Sequence, residues 1–350
     1  MKRCQDCRFR LSDKDYSCKL IRKRTSGVTL KPVECRKHHY VPQFLLRNFA
    51  SEGREALYAF DKWEGKQFGI AIADAATERG YNTFETDEAS GCAEDFFTQI
   101  EGTASPVIHG IVSARKLFAI SPAQRTALVQ LATAQMLRSK NSRAVFAQLG
   151  ETMRELAERE GTPDFKAWVG PPNPAGDKQA LLMSLEKDLL HFGPYLANKD
   201  LILCVSQESS PFLIGDSPLI RTNTLNRSEF YGTTGLNSPG VEVYLPLSPT
   251  LALGFMCPSI RVTIQEAIRK LGRSASPTCF DYLLAIELHK NLNLNNPHVD
   301  YLNSHQIIAA ERFLYSGSGD FRMVREMLEN DPTLRTGVRL TIGHGIADQR

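Results

Sequence analysis

The chain has 350 residues, of which 42% are hydrophobic and 23% are charged. This length and balance are typical of a globular protein with one large or two ordinary domains, and they exclude a disordered chain. No run approaches the roughly 20 apolar residues that a membrane span needs. No apolar stretch follows the opening Met-Lys-Arg-Cys either, so we expect a cytoplasmic protein without a signal peptide.

Charge is distributed unevenly along the chain. Residues 1–37 contain 12 Lys and Arg but only four Asp and Glu, a charge of +8, so the other 313 residues carry −5. Lys and Arg attract phosphate groups over several ångströms, and this asymmetry therefore predicts a polyanionic partner such as nucleic acid. A solvated basic face, or a docking surface for an acidic protein, would have the same composition.

Four of the eight cysteines lie in the same segment: Cys4, Cys7, Cys18 and Cys35. The first two form a C-x2-C pair, which lets two sulfur atoms of one turn point at one ion. So few apolar residues surround them that a self-sufficient core cannot form, and a Zn²⁺ ion held by four thiolates would supply the missing stability. We therefore predict a zinc-knuckle-like module over residues 1–37. An iron–sulfur cluster or two disulfides would use the same cysteines.

The next part of the chain contains signals for a hairpin and then for helices. Strands are predicted at 56–61 and 67–73, and Asp74 is expected to cap a short helix that ends at Arg79. Apolar residues recur at helical spacing from 93 to 118. Ser121-Pro122 is typical of an N-cap followed by the first helical residue, and it opens a helix predicted to reach about residue 160.

A proline-rich loop at 161–176 separates these elements from the rest, for which the pattern predicts helices at 178–197, 279–290, 298–314 and 320–329 and strands at 201–205, 212–214, 241–245 and 250–256. Helices and strands do not alternate strictly. The predicted fold class over residues 38–350 is therefore α+β, a helical bundle packed on a mostly antiparallel sheet.

The segment after the cysteines reads His38-His-Tyr-Val-Pro-Gln-Phe-Leu-Leu-Arg-Asn-Phe49. It resembles the opening of a bacterial family, family 4238 among the domains of unknown function. Three later stretches fit the pattern of that family: Tyr58-Ala-Phe-Asp61 with its following Gly-Lys turn, Phe212-Leu-Ile-Gly-Asp-Ser-Pro218, and Tyr244-Leu-Pro-Leu-Ser-Pro249. The resemblance covers roughly residues 38–315 and implies one large domain, to which the cysteine segment is an addition.

His38-His39-Tyr-Val-Pro42 is also similar to the first strand of HNH-type nucleases. In those enzymes one residue of such a pair binds the metal and the other is the general base. The resemblance, which covers this strand alone, implies that His39 is the base and that His38 binds Mg²⁺ or Mn²⁺. On the residues alone, either histidine could instead be a hydrogen-bonded structural residue or a further ligand of the cysteine cluster.

Four carboxylates are candidates to join the histidines. Asp216 follows an apolar strand, a usual place for a catalytic carboxylate, but also the ordinary place for an Asx-turn before proline. Glu101 lies seven residues after Glu94 on one helix face, where both could join Asp61 and His39 at a site or pair with arginines.

These observations predict a nucleic-acid-acting protein, a metal-dependent nuclease of a bacterial defence or mobile-element system. Its catalytic residues would be His39, His38, Asp216, Asp61 and Glu101. The alternative is a non-catalytic, zinc-stabilised module that binds nucleic acid or a protein.

Overall fold

A computed structural model describes residues 21–23, 37–51, 53–87, 89–117, 120–226 and 232–339. The predicted zinc ligands Cys4, Cys7, Cys18 and Cys35 lie outside the described residues.

The first described part of the chain is made of short strands and one short helix: β1 (Ile21–Lys23), β2 (Lys37–His39), α1 (Gln43–Arg47), β3 (Ala56–Asp61), β4 (Lys66–Ala71), β5 (Thr77–Arg79), β6 (Thr83–Glu85) and β7 (Ala89–Cys92). The predicted hairpin is confirmed as β3 and β4, which pair antiparallel. The predicted helix from Asp74 to Arg79 is wrong. A turn and β5 take its place, because β5 pairs antiparallel with β2.

A group of helices follows: α2 (Glu94–Ala114), α3 (Pro122–Arg138), α4 (Lys140–Glu160), α5 (Pro163–Val169) and α6 (Pro174–Ala197). The Ser121 cap is confirmed, since its hydroxyl accepts the Gln124 N–H and the Gln124 side chain accepts the Ser121 N–H. The expectation of one helix up to residue 160 is wrong. Ser139 is extended, with φ −60° and ψ 152°, and it ends α3 and caps α4.

The remaining elements are β8 (Asp200–Val205), β9 (Ile214–Gly215), β10 (Ile220–Asn223), β11 (Val241–Ser248), β12 (Leu251–Met256), α7 (Pro258–Leu271), α8 (Pro277–Glu287), β13 (Leu292–Asn293), α9 (Asn296–Ala309), β14 (Phe313–Ser316) and α10 (Arg322–Asn330). Helix α7 was not predicted. The helix expected at 298–314 ends at residue 309, and its last predicted residues belong to β14.

The strands form separate small sheets, in the orders β10-β11-β12-β8-β13, β4-β3-β14-β9, β1-β7-β6 and β2-β5. All of these pairings are antiparallel except that of β13 with β8. Every residue of β11 and β12 is buried, which requires cover on both faces of that sheet. Helix α3 packs between α2 and α6. The predicted α+β fold class is thus confirmed, and none of the described helices is long and apolar enough to cross a bilayer.

Strand β14 brings the C-terminal part of the chain back to the N-terminal part. It pairs with β3 on one side and with β9 on the other. The Tyr315 hydroxyl accepts the Ala76 N–H at 3.0 Å, next to β5. Residues about 240 positions apart therefore share one sheet and its surroundings, which fixes the β2 region against the body of the domain.

Candidate functional site

A cleft of about 270 Å³ lies between the β2–α1 segment and helix α2. One wall carries His39, Gln43, Phe44 and Arg47, and the other carries Glu94, Phe97, Thr98 and Glu101. The second wall is one face of α2, because side chains three, four and seven residues apart point the same way from a helix. A larger groove of about 490 Å³ between α4 and α5 contains no histidine, cysteine or serine, so we place the candidate chemistry in the smaller cleft.

The two histidines of β2 point to opposite sides, as neighbouring residues of a strand must. His38 is 4% exposed, and its Nδ1 accepts the backbone N–H of Asn82 at 3.0 Å. The same Nδ1 lies 3.9 Å from Glu94 Oε1. His39 is half-buried and lines the cleft. Of the two, His39 is therefore the one with access to a ligand in the cleft.

The surroundings of His39 favour a neutral imidazole. Burial lowers the pKa of His39 below its ordinary value of 6.5, while the Ile72 carbonyl and the carboxylates of Glu101 and Glu94 act in the opposite direction. Its Nε2 is buried, and its Nδ1 lies 3.5 Å from the amide nitrogen of Gln43. Because Gln43 donates to it, Nδ1 carries the lone pair of the neutral ring, and Nδ1 is therefore the atom that can accept a proton.

Glu94 is held by a chain of polar groups behind the cleft. The Asn82 amide donates to Glu94 Oε1, and Arg143 donates to the Asn82 side-chain oxygen at 2.7 Å. The Arg143 guanidinium also lies over the Tyr81 ring, 3.3 Å from its centroid. This chain fixes the orientation of Glu94. Asn82 connects Arg143 to Glu94, and its sequence context, an aromatic loop, did not indicate this role.

Glu101 is paired with an arginine. Arg138 Nη1 lies 2.7 Å from Glu101 Oε1, and Arg138 is only 2% exposed while Glu101 is 27% exposed. The pairing holds the carboxylate at one end of the cleft wall. Glu101 was predicted either to join a site or to pair with an arginine, and in the structure it lines the cleft and pairs with Arg138.

The other two predicted carboxylates do not line the cleft. Asp61 accepts from Arg312 Nε at 3.0 Å and Nη2 at 2.6 Å. Asp216 is fully buried and accepts the backbone N–H groups of Glu311, Arg312 and Phe313 at 2.7, 2.7 and 2.9 Å. The predicted set therefore divides into His39 and Glu101 in the cleft, His38 behind it, and two aspartates bound to the segment before β14.

Three polar residues of the cleft were not predicted from the sequence as site residues: Gln43, Arg47 and Thr98. Arg47 Nη2 donates to Gln43 Oε1 at 2.9 Å, so the two side chains of α1 form one polar edge. His39, Gln43 and Arg47 follow one another at intervals of four residues. This spacing could have indicated that they line one site, although His39 itself is in a strand.

As the side chains of the cleft are placed, only some of them could bind the same cation. Within the described ranges, no three His, Cys, Asp or Glu side chains are grouped closely enough to hold a metal ion together. The imidazole and carboxylate donors at the cleft are nevertheless of the types that divalent cations take.

The model of a family described as a protein of unknown function, DUF4238, matches residues 37–320. The chain belongs to the DUF4238 family. The match confirms the resemblance that begins at the paired histidines, and its first residue is also the first residue of β2. The whole cleft therefore lies in the DUF4238 region, whereas the cysteine-rich segment precedes it. No curated protein and no solved structure matches the chain.

Proposed function

We propose that this DUF4238 protein hydrolyses phosphodiester bonds of nucleic acid, with His39 as the general base. The observation that carries the proposal is the half-buried imidazole of His39, kept neutral by burial, in one cleft with two carboxylates and an arginine. A neutral imidazole near pH 7 can take a proton from water. The basic segment before the family region supports nucleic acid as the substrate.

In this mechanism each wall of the cleft has its own task. Nδ1 of His39 accepts the proton of the attacking water once that water takes the place of the Gln43 amide, which lies 3.5 Å from the same lone pair. Arg47, on the same helix as Gln43, supplies a positive charge for the phosphate oxygens. The α2 wall then faces the scissile group from the opposite side.

We propose Mg²⁺ or Mn²⁺ as the cofactor, bound by Glu94 and Glu101. A bound divalent ion would neutralise charge on the phosphate. Two carboxylates are sufficient donors from the protein, since Mg²⁺ keeps several waters and takes further ligands from substrate phosphates. The known contacts of each glutamate involve Oε1. Zn²⁺ is proposed separately, as a structural ion at the four N-terminal cysteines.

The test is a cleavage assay on single- and double-stranded DNA and on RNA with Mg²⁺ or Mn²⁺. We expect His39→Ala to lose about 10²- to 10⁴-fold in rate, the usual contribution of a general base. His109→Ala is the matched control, because His109 is an exposed histidine on the same helix as Glu101 but outside the cleft. Equal rates for wild type and His39→Ala would remove His39 as the base.

A second candidate function is a non-catalytic module that binds nucleic acid or a protein. It is favoured by the finding that, in the part of the chain that the structure describes, no group of three metal-binding side chains is assembled. Absence of cleavage with every cation, together with binding that weakens steeply as salt increases, would support this function instead.

A further inference from the structure

Helix α4 carries a row of large apolar side chains that the core of the domain does not use. Phe146 and Leu149 are 39% and 40% exposed, and Met153 and Leu156 are partly buried. Among the described residues, no side chain of α4 belongs to the hydrophobic clusters of the domain or packs against them. The packing partners of α4 in the described structure are mainly α3 and α5. The row is therefore available to a further partner.

These four side chains, which we call the α4 seam, are separated by three, four and three residues. This spacing is that of the a and d positions of a coiled coil, whose partner is another helix. The charged residues between 144 and 158 line the groove towards α5 instead, and they are Glu151, Arg154, Glu155 and Glu158. At about 100° per residue they lie on the side of the helix opposite the seam. A helix that packs on the seam would therefore meet no charge from this stretch.

The seam has the same spacing when it is read in either direction. If two copies of α4 lie antiparallel about residue 151, Phe146 of one copy faces Leu156 of the other, because both lie five residues from the centre. Leu149 likewise faces Met153, since both lie two residues from the centre. Gly150, beside the seam at its centre, has no side chain that would keep the two helices apart. The seam is thus complementary to itself.

We propose that α4 is a self-association surface, which joins two copies of this chain through an antiparallel, two-fold contact of their seams. Such a contact uses the same patch on both subunits. None of the seam residues lines the cleft, so this proposal is independent of the proposed function.

The size of the contact sets the strength that we expect. Helix α4 has 21 residues and is therefore about 32 Å long, and a helix is about 10 Å wide. One face of it is smaller than the roughly 800 Å² per partner that a stable interface buries. We therefore expect a reversible dimer that forms in the micromolar range of protein concentration.

The experiment is analytical ultracentrifugation of the full-length protein from about 0.1 to about 100 µM, with a reducing agent that prevents disulfides between its eight cysteines. The mass should rise from that of one chain, 39.1 kDa, towards that of two. Leu149→Glu should weaken association about tenfold or more, because it buries an unpaired charge in the contact. Val262→Glu is the matched control: Val262 is 51% exposed on α7, outside the seam, and this variant should associate like the wild type.

A pair of variants tests the direction of the contact. Met153→Lys alone should also be monomeric, but an equimolar mixture of Met153→Lys and Leu149→Glu should dimerise. An antiparallel contact brings the new glutamate of one copy to the new lysine of the other, and it leaves the second Leu149–Met153 pair intact. A parallel contact would align each position with itself, and the mixture would then stay monomeric.

A wild type that remains monomeric at the highest concentration would overturn the proposal, and so would a dimer that Leu149→Glu leaves unchanged. Loss of the dimer in both variants without recovery in their mixture would overturn the antiparallel pairing. Circular dichroism establishes that each variant is folded. If either is not, Phe146→Glu and Leu156→Lys replace the pair, because these two residues face each other in the next layer of the same contact.

Discussion

Replacing Asp216 should lower the stability of the folded protein and should not affect activity alone. This aspartate was predicted as a catalytic candidate, yet it is fully buried at the end of β9. Its Oδ1 accepts the Glu311 N–H, and its Oδ2 accepts the Arg312 and Phe313 N–H groups. These three bonds fasten the segment between α9 and β14, and β14 closes the sheet against β3.

The size of the stability loss follows from the N–H groups that are left without an acceptor. Asp216→Ala removes the acceptor of three backbone N–H groups, and a buried donor left unsatisfied costs about 1–3 kcal/mol. The variant should therefore lose at least about 3 kcal/mol, a large part of the roughly 5–15 kcal/mol that stabilises a typical domain. Asp216→Asn keeps the shape and one oxygen, so we expect a smaller loss, about 1–3 kcal/mol.

Urea unfolding followed by circular dichroism measures both variants. Asp300→Ala is a matched control, because Asp300 is an exposed aspartate on α9, and its loss should change stability by no more than about 0.5 kcal/mol. If Asp216→Ala unfolded at the same urea concentration as this control while cleavage was abolished, the structural role assigned to Asp216 would be refuted and a catalytic role restored.

Four further outcomes are expected. The kcat/KM for cleavage should fall as the pH is lowered, with its midpoint below pH 6.5, because the base must be unprotonated and burial holds the pKa of His39 below 6.5; a midpoint above pH 6.5 would contradict this. Burial lowers the pKa of Lys62 to about 8, so the folded protein releases this proton at a lower pH than the unfolded chain does. The stability of the wild type relative to that of Lys62→Met should therefore rise between pH 8 and 10.5, by up to about 3 kcal/mol. Urea midpoints across that range measure the difference, and a constant difference would be inconsistent with the buried ammonium. Cys4→Ser should reduce the zinc content of the purified protein by elemental analysis, and an unchanged content would exclude the proposed zinc site. Gly317→Ala should destabilise by about 1–3 kcal/mol in thermal unfolding, because an added Cβ would lie 2.2 Å from the Phe49 carbonyl oxygen, and a wild-type melting temperature would show that this contact relaxes freely.

Helix α2 shows what local pattern predicts well. Its apolar residues follow a period of 3.6, and most of them are buried in the observed helix, including Phe97, Ile100 and Ile108. The Ser121 cap was predictable for a similar reason, since the hydroxyl, the proline and the glutamine that close the capping box are neighbours in sequence. Such features depend on residues within one or two turns.

Strand β5 shows where local pattern fails. Asp74-Ala-Ala-Thr-Glu-Arg79 contains good helix formers after a capping residue, yet residues 77–79 are a strand. Hydrogen bonds to β2, about 40 residues away, decide the conformation. The break at Ser139 was missed likewise, because its hydroxyl can cap a new helix or remain on the surface of a continuing one with equal local support.

The paired histidines, their family and the α+β class were determined by the sequence alone, because they depend on residue types and on periodicities along the chain. Which of those histidines faces the cleft was decided only by the tertiary structure. Glu101 and Arg138 influence the pKa of His39 from 62 and 99 positions away in the chain, and the three donors to Asp216 lie about 95 positions away. Burial and electrostatics act through space, so whether an acidic side chain serves chemistry or architecture depends on which distant backbone and charged groups the fold brings to it.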